Sequence, residues 1–327
     1  MPSGNVKVSV IVVNFNGMPY IESCLRSILK QDFAHFEVIL VDNKSIDKSL
    51  DYTRQQFPGV LIVANEKNLG YSGGINSGIG HGHGDYLAPI NADTEAKQGW
   101  LAAMVNFMDA NPEVGAVTPK SLLYRDRNKI GTLGLNIHLT GLGFIRGLNQ
   151  TNSDFPQEPF QVAGVSGCSY LIRREIVEKM GGLNESNFMY YDDVDLSWMV
   201  NLMGYKIYCV PQSIVYHEYE PKMTPQKMFW LEYGRANAIL SYPRPVTFVV
   251  LLPALAFTEA LIAGYCLLRG PSYIKAKVRV WVSVLRDLRA TMRRRRQVQK
   301  LRKLSDFQLL RRFKLSYELG QVLRILK

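Results

Sequence analysis

Paired cysteines are missing from this chain of 327 residues. Its four cysteines are scattered, and no Cys-x-x-Cys pair occurs; they are Cys24, Cys168, Cys209 and Cys266. This spacing argues against a structural zinc site and a disulfide framework, and it is typical of proteins from a reducing compartment. The first residues are polar and lead straight into a strand pattern, so we expect no secretory signal.

Two common nucleotide-binding motifs are also missing. No Gly-x-Gly-x-x-Gly follows a predicted strand, and no Gly-Lys dipeptide offers a P-loop, which disfavours a nicotinamide-dependent enzyme and an ATPase. Gly70-x-Ser72-x-Gly74 does match the nucleophile elbow of serine hydrolases, and Asp193 and His217 follow in the hydrolase order. Such an elbow needs a strand running directly into the serine, and residues 65–68 intervene. A serine hydrolase is therefore kept only as the alternative.

Positive charge is scarce in most of the chain and concentrated at its end. Residues 1–268 hold 21 Lys and Arg against 25 Asp and Glu, a net charge of −4, whereas residues 269–327 carry a net charge of +15. A basic tail predicts an anionic partner, either membrane phospholipid or nucleic acid. No nucleic-acid-binding motif is present, so we expect a membrane and no nucleic acid.

The apolar segment 247–268 contains a single charge, Glu259. Its length would allow it to span a bilayer, but a single span would put the basic tail on the side that basic segments avoid. We therefore predict a helix pair or a re-entrant segment in the cytoplasmic leaflet, with a buried helix as the alternative. Beyond it, an apolar stripe with Arg293–Arg296 beside it predicts an amphipathic helix on an anionic membrane. The stripe consists of Trp281, Leu285, Leu288 and Met292.

Apolar runs alternate with helical periodicity in the first half of the chain. The predicted strands are Lys7–Phe15, Phe36–Val41 and Val60–Ala64, and the helices between them are Tyr20–Gln31 and Asp47–Phe57. This βαβαβ order indicates a Rossmann-like α/β unit, which binds ligands at the carboxyl ends of its strands. Residues 125–160 show little periodicity, and we predict a long surface loop or a small hairpin; long loops of this kind often act as substrate lids.

Polar residues follow several of these strands. Asp42 could form a turn or helix cap, with Ser45 as the better cap candidate, or accept hydrogen bonds from a ribose or base. Asp93 follows a short strand, Asp85–Ile90, and could cap a helix or bind a metal. His217 could be a core histidine, or it could complete a metal site with Asp93 and Asp193.

The segment Met189–Met199 contains three carboxylates among aromatic residues. Asp192, Asp193 and Asp195 fall within four positions. Burial disfavours ionised carboxylates, so such a cluster predicts a metal, a cation or a catalytic role. The alternative is a helix N-terminus, where acidic residues suit the helix dipole.

Taken together, five blocks in order resemble family 2 glycosyltransferases with the GT-A fold, in the rhamnosyltransferase-like branch that builds surface polysaccharides. The resemblance covers roughly residues 7–240. The blocks are Val10–Gly17, Val41–Asp47, Asn68–Gly78 (Asn-Leu-Gly-Tyr-Ser-Gly-Gly-Ile-Asn-Ser-Gly), Asn91-Ala92-Asp93 and Tyr191–Leu196 (Tyr-Asp-Asp-Val-Asp-Leu).

The resemblance implies a role for each matching residue. Asp193 would be the general base, and Asp93 and His217 would hold Mg²⁺ or Mn²⁺. Asp192 and Trp198 would lie on the acceptor side. The donor nucleotide would contact Asn14, Asp42, Asn68, Gly70, Gly74, Asn76 and Asp93.

The implied reaction is a metal-dependent, inverting hexosyl transfer from a nucleotide sugar, with dTDP-rhamnose or a UDP-sugar as donor. The acceptor would be a lipid-linked or polysaccharide hydroxyl at the cytoplasmic face of the membrane. The expected fold is a GT-A mixed sheet flanked by helices in residues 1–243, followed by a helical membrane-associated region in 244–327. A homo-oligomer is compatible with the sequence. The chain departs from the family pattern in having Asn91, Asp192 and Asn184 and in lacking an Arg near Met199.

Overall fold

A mixed β-sheet lies at the centre of the protein, in a computed structural model that describes residues 6–219, 222–318 and 321. The strands are β1 (Val8–Asn14), β2 (Phe36–Asp42), β3 (Leu61–Ala64), β4 (Tyr86–Asn91), β5 (Thr94–Ala96), β6 (Val114–Leu123), β7 (Ile130–Thr132), β8 (Leu135–Ile137), β9 (Gly143–Ile145), β10 (Phe160–Gln161), β11 (Leu171–Arg173) and β12 (Lys206–His217). The helices are α1 (Ile21–Leu29), α2 (Ser49–Gln56), α3 (Gly70–Ile79), α4 (Trp100–Ala110), α5 (Arg174–Met180), α6 (Asp192–Leu202), α7 (Pro225–Ser241), α8 (Pro245–Arg269), α9 (Pro271–Arg286), α10 (Leu288–Leu301) and α11 (Asp306–Leu310).

The parallel half of the sheet has the predicted βαβαβ arrangement. Strand β1 is an uncharged β-branched run, and it pairs in parallel with β2 on one side and β4 on the other. Such a strand is buried on both faces because helices cover the sheet on both sides. The register places Asn14 beside Asp42, so the polar residues at the ends of β1 and β2 meet at one edge.

The other half of the sheet is mixed, which confirms the predicted fold class. Strand β11 runs antiparallel between β4 and β6, and β12 runs parallel to β6. The far end of β12 pairs with the short antiparallel strand β5, so that His217 lies opposite Thr94. This pairing brings together two chain segments that are more than 100 residues apart in sequence.

The glycine-rich segment after β3 forms helix α3, which the sequence did not predict. A Cβ atom at Gly74 would lie 2.7 Å from a methyl group of Val13 and 3.1 Å from the Asn43 amide. The glycines therefore allow this helix to lie close against the sheet. The strands that α3 approaches closely are β1 and β2.

Residues 130–145 contribute to the main hydrophobic core, so the predicted surface loop is wrong, whereas the small hairpin is confirmed. Strands β8 and β9 pair antiparallel, and β7 joins the main sheet beside β6. Ile130, Leu133, Leu135, Ile137 and Phe144 are buried. Glycines and polar residues between these side chains hide the periodicity in the sequence.

Residues 247–268 form one continuous helix, α8, rather than the predicted helix pair or re-entrant segment. By length and composition alone, this helix is long and apolar enough to cross a membrane, and little of its most apolar window is buried. Helix α9 follows after Gly270, and the Tyr265 and Tyr273 rings on either side of the turn lie 5.7 Å apart. Helices α8 and α9 therefore form a hairpin.

The C-terminal segment packs against the sheet domain across the predicted boundary at residue 243. Val298, Leu309 and Phe313 belong to the main hydrophobic core. Ser305 caps α11 in a reciprocal arrangement with Gln308. The division of the chain into two domains stays a prediction, but the two regions are in contact.

Candidate active site

The acidic stretch begins helix α6, and its three carboxylates lie in the first turn. Acidic side chains interact favourably with the positive end of the helix dipole, so the helix-start interpretation also holds. The three carboxylates differ in how far they are exposed to solvent. Asp192 is 7% exposed and Asp195 is 3% exposed, whereas Asp193 is only partly buried.

Two backbone N–H groups orient Asp193. The Gly167 N–H donates to Oδ2 at 3.0 Å, and the Val194 N–H donates to Oδ1 at 2.8 Å. Burial raises the pKa of Asp193 to about 6, while these two hydrogen bonds favour its charged form. Asp193 is therefore mostly ionised at neutral pH, yet it remains basic enough to take a proton from a hydroxyl group.

Asp192 is more buried than Asp193. Burial, and next the negative charge of Asp193, raise the pKa of Asp192 well above its usual value. Its carboxyl group lies near the buried Tyr71 and Tyr170 hydroxyls, whose pKa values it raises after the larger effect of burial. The acceptor contact of Asp192 stays a prediction.

The structure does not agree with the predicted position of Trp198 on the acceptor side. Its side chain is 1% exposed and stacks on Tyr242, with ring centroids 5.1 Å apart, while Phe313 meets it edge-on at 4.6 Å. Helical periodicity explains this position, since residue 198 lies on the core side of α6. Trp198 stabilises the packing of this helix and cannot contact an acceptor from there.

Asp93 and His217 meet through the β5–β12 pairing. The His217 Nε2 atom lies 3.3 Å from Asp93 Oδ1, and that oxygen is buried without a hydrogen-bond partner in the described residues. A carboxylate oxygen and an imidazole nitrogen this close are a fitting ligand pair for a divalent cation such as Mn²⁺. Within residues 6–219 and 222–318, no third His, Cys, Asp or Glu joins them, which leaves ligand positions for a substrate and water.

The loop around Gly167 contacts both Asp193 and the end of β4, two residues before Asp93. Burial raises the pKa of the Cys168 thiol to about 11, and the negative charges of both Asp93 and Asp193 act in the same direction. Cys168 follows Gly167, the residue that orients Asp193, and its carbonyl accepts from the Asn91 N–H at the end of β4 at 2.9 Å. The loop around Gly167 therefore lies between the two acidic centres.

Lys227 is a cation of this site that the sequence did not reveal. Its ammonium nitrogen lies 5.2 Å from the Tyr190 ring centroid and 5.6 Å from that of Tyr219. Burial lowers the pKa of Lys227, and the negative charge of Asp193 opposes this shift. The Tyr219 ring in turn lies 6.0 Å from the His217 ring. Tyr219 thus contacts both Lys227 and His217, and the Lys227 ammonium group near Asp193 can meet an anionic group.

Asn14 and Asp42 are buried at the end of β1 and β2. The Asn14 amide donates to Asp42 at 2.8 Å, and Asp42 also accepts from the Ser45 N–H at 2.9 Å. Ser45 therefore belongs to this turn and does not cap α2, which begins four residues later. Both side chains shape the turn, and their predicted contact with a nucleotide stays a prediction.

The remaining predicted nucleotide contacts lie at α3. Asn68 accepts from the Gly70 N–H, and a Cβ atom at Gly70 (φ +72°) would lie 2.2 Å from the Phe188 carbonyl. Asn76 donates to the Leu183 carbonyl at 3.0 Å and accepts from its N–H at 2.8 Å. These contacts fix α3 to the segment before α6, and a nucleotide contact by Asn68, Gly70, Gly74 or Asn76 stays a prediction.

Ser72 is unsuited to act as a nucleophile. It lies in the first turn of α3, is completely buried, and its hydroxyl has no hydrogen-bond partner in the described residues. A nucleophile elbow would expose the serine at a strand-to-helix turn beside a histidine. The serine hydrolase alternative is therefore not supported.

Solved structures share this fold. The mannosyltransferase PcManGT from Pyrobaculum calidifontis, in complex with GDP-Man and Mn²⁺, is 20% identical with a TM-score of 0.56, over 92% of this chain and 87% of that one. GalNAc-T7 with UDP, GalNAc and Mn²⁺ is 16% identical with a TM-score of 0.60, over 79% and 55%. TarS of S. aureus in complex with UDP-GlcNAc has a TM-score of 0.57 at 17% identity, over 90% of each chain.

Curated relatives show the same likeness in sequence. An N-acetylglucosaminyl-diphospho-decaprenol L-rhamnosyltransferase of Mycobacterium tuberculosis is 27% identical over 64% of this chain and 75% of its own length. An O-antigen biosynthesis protein of Myxococcus xanthus is 27% identical over 71% of this chain and 19% of its own. An uncharacterized glycosyltransferase of Haemophilus influenzae is 31% identical over 34% of this chain, and the alignment spans 35% of its length.

A protein-family model also matches this chain. The model of glycosyl transferase family 2 matches residues 9–181, which is more than half of the chain. The matched range includes most of β1, the turn at Asp42, helix α3 and Asp93, and it ends before α6 begins at Asp192. The chain belongs to glycosyl transferase family 2.

Proposed function

We propose that this protein transfers a hexose from a nucleotide sugar to an acceptor hydroxyl with inversion at the anomeric carbon. The observation that carries the proposal is Asp193, a partly buried carboxylate with a pKa of about 6 that two backbone N–H groups hold in place. Asp193 accepts the acceptor's proton while the acceptor oxygen attacks the anomeric carbon. The bond to the nucleoside diphosphate breaks on the opposite face, which inverts the configuration.

The departing diphosphate carries negative charge, and the site offers two means of holding it. Asp93 and His217 would hold Mg²⁺ or Mn²⁺, which supplies charge neutralisation at the leaving group. Lys227 adds a cation whose ammonium group has no hydrogen-bond partner within residues 6–219 and 222–318. It would contact the phosphate oxygens directly.

The donor is proposed from the relatives. The M. tuberculosis relative is a rhamnosyltransferase, so dTDP-rhamnose is one candidate. The neighbouring structures hold UDP, UDP-GlcNAc or GDP-Man, so UDP-sugars and GDP-mannose are the others. The decaprenol-linked acceptor in the name of the M. tuberculosis relative suggests a lipid-linked acceptor here.

A nucleotide-sugar screen tests the proposed reaction. The full chain is incubated with dTDP-rhamnose, UDP-GlcNAc and GDP-mannose, each with Mg²⁺, Mn²⁺ or EDTA, and the released nucleoside diphosphate is measured. We expect one donor to be turned over, and EDTA to reduce its turnover at least tenfold because the leaving group loses its counter-charge. Absence of turnover with every donor, or full turnover in EDTA, would contradict the proposal.

A membrane-binding face on α8 and α9 would bring the enzyme to its acceptor. Most large side chains on the outer side of the hairpin are apolar and exposed, including Val246, Val249, Val250, Phe257, Leu267, Leu268, Val278, Trp281, Val282 and Leu285. Exposed basic residues accompany them, including Arg269, Lys275, Arg279 and Arg286. Apolar residues with basic neighbours are typical of surfaces that bind anionic bilayers.

The pairing of Glu259 favours lateral attachment over a membrane span. This carboxylate bonds Arg235 of α7 and lies 2.8 Å from Lys277 of α9. A helix tied to α7 and α9 at its midpoint cannot cross a bilayer without carrying those charges with it. We therefore propose that the apolar face of the hairpin lies on the cytoplasmic leaflet.

Flotation with phosphatidylglycerol vesicles tests this attachment. Because each buried leucine or valine contributes about 1.5–3 kcal/mol, the variant Val282→Glu/Leu285→Glu should bind vesicles at least tenfold more weakly. Both side chains are largely exposed, so the fold should persist. Leu29→Glu on α1 is the matched control, and it should float like the parent. Equal flotation of all three proteins would contradict the proposed face.

A further inference from the structure

The first turn of α6 is bonded to a helix at the other end of the chain. Arg294 of α10 donates to Asp195 Oδ2 at 2.6 Å, across 99 positions in sequence. The Tyr242 hydroxyl, at the end of α7, donates to Asp195 Oδ1 at 2.7 Å. Arg294 also donates to the Tyr242 oxygen at 2.8 Å, which closes a triangle of three side chains.

We propose that Arg294 is a positioning residue for the catalytic base: its pairing with Asp195 fixes the first turn of α6 and thereby holds Asp193 in place. The inference rests on the proposed function, because it assigns the base role to Asp193. It concerns a residue that lies outside the matched family range 9–181 and outside the acidic stretch.

The charge on Asp195 needs Arg294. Asp195 is 3% exposed, and Arg294 is its salt-bridge partner. A buried carboxylate that loses its cation must take up a proton or move toward water, because an unpaired charge is poorly tolerated in the interior. Either response disturbs the helix turn that Asp193 shares.

The position of Asp193 has little tolerance for such a disturbance. Its Oδ2 atom bonds the Gly167 N–H, and a Cβ atom at Gly167 would lie only 3.3 Å from that same oxygen. A shift of the turn would break this hydrogen bond or press the carboxylate against the loop. Displacement of a catalytic group by about 1 Å can reduce turnover about 100-fold.

Helix α10 is itself firmly placed, so it can act as a fixed support. Arg295 donates to the Leu240 and Pro243 carbonyls at 2.7 and 2.8 Å. After α10, the backbone N–H of Lys303 donates to the Leu202 carbonyl at the end of α6, at 2.9 Å. The C-terminal segment therefore holds α6 at both of its ends.

Neighbouring arginines on α10 provide a matched pair of variants. Arg294→Gln removes the cation that contacts α6, whereas Arg295→Gln removes hydrogen bonds of similar geometry that contact only the end of α7. Both variants should lower the melting temperature. Only Arg294→Gln should lower kcat, by about 10–100-fold, with the KM for the donor changed less than about twofold. Arg295→Gln should keep kcat within about twofold of the parent.

Two further variants keep the inference testable if Arg294→Gln folds poorly. Arg294→Lys retains the charge and should recover most of the lost turnover. The double variant Asp195→Asn/Arg294→Gln removes both charges, so no unpaired charge remains. Its fold-reduction in kcat should therefore be smaller than the product of the fold-reductions in the two single variants.

The outcomes separate this inference from the proposed function. A parent protein without transferase activity would overturn both. An active parent with an unchanged kcat in Arg294→Gln, or with equal loss in Arg294→Gln and Arg295→Gln, would overturn the role of Arg294 alone. Failure of Arg294→Lys to recover turnover would likewise contradict the charge-based positioning.

Discussion

Replacing Asp193 with asparagine is expected to reduce sugar transfer by about 10²–10⁴-fold, the usual contribution of a positioned general base. Asparagine has nearly the same shape and can still accept the hydrogen bond from the Gly167 N–H, so the fold and the site should be retained. Donor binding, measured by calorimetry, should change less than about threefold because the base faces the acceptor oxygen. Asp51→Asn, at an exposed carboxylate on α2, is the control and should keep full activity.

The activity of the parent enzyme should depend on pH through the ionisation of Asp193. Because only the ionised form of Asp193 can accept a proton, and its pKa is about 6, kcat/KM should fall about tenfold per pH unit below that value. Activity should be retained as the pH rises from 6 toward 8. Rapid turnover by Asp193→Asn, or a flat profile between pH 7 and 4.5 in a folded enzyme, would contradict the assignment of the base.

The second prediction concerns the stability of the fold. A network of four charges, largely buried, joins α7, α8 and α9. Glu232 accepts two hydrogen bonds from Arg235 at 2.8 Å and one from Lys277 at 2.6 Å, and Glu259 contacts both cations. Although burial opposes ionisation, the charges of Arg235 and Lys277 prevail and lower the pKa of Glu232 to about 2. The four charges sum to zero, which makes their burial tolerable.

Glu232→Gln should destabilise the protein by roughly 3–5 kcal/mol, because it leaves a buried excess of positive charge. Thermal unfolding at pH 7 measures this effect. Since the folded pKa is lowered, the stability that Glu232 contributes is present above pH 4.5 and is lost as the pH falls toward 2. The difference between parent and variant should therefore shrink over that range.

An exposed ion pair provides the comparison for this prediction. Glu22 and Arg26 on α1 are paired at 2.8 Å, but about half of each side chain is exposed. Glu22→Gln should therefore lower the melting temperature much less than Glu232→Gln does. Equal melting temperatures for Glu232→Gln and Glu22→Gln would show that the buried network does not stabilise the helical hairpin.

Local patterns were sufficient for strands β1 to β4 and for the start of α6. Strand β1 is an uncharged run rich in β-branched residues, and α1 has strong apolar periodicity, so both could be predicted within two residues of their observed ends. The carboxylates of α6 were recognisable because acidic residues among aromatic ones are unusual. Helix α3 was missed because glycines disguise helical periodicity, and their real partner, the sheet surface, is distant in sequence.

The arginines of α10 show what a linear pattern hides. The sequence predicts one basic membrane-facing surface at Arg293–Arg296, but Arg294 and Arg295 turn toward α6 and α7, while Arg293 and Arg296 are exposed. The stripe from Trp281 to Met292 is likewise divided between two helices, because α9 ends at Arg286. Composition alone cannot tell whether a charged side chain faces solvent or pairs with a buried partner.

The sequence by itself determined the family, the mixed sheet and the acidic residues from which a base could be chosen, because each depends on a short run of neighbouring side chains. Only the tertiary structure decided that Asp192 and Asp195 are buried while Asp193 is partly exposed, that Asp93 lies beside His217, and that Glu259 is paired. These properties depend on desolvation and on partners contributed by distant segments. For that reason one acidic stretch contains a candidate base, a buried carboxyl group whose pKa is raised, and a structural ion pair.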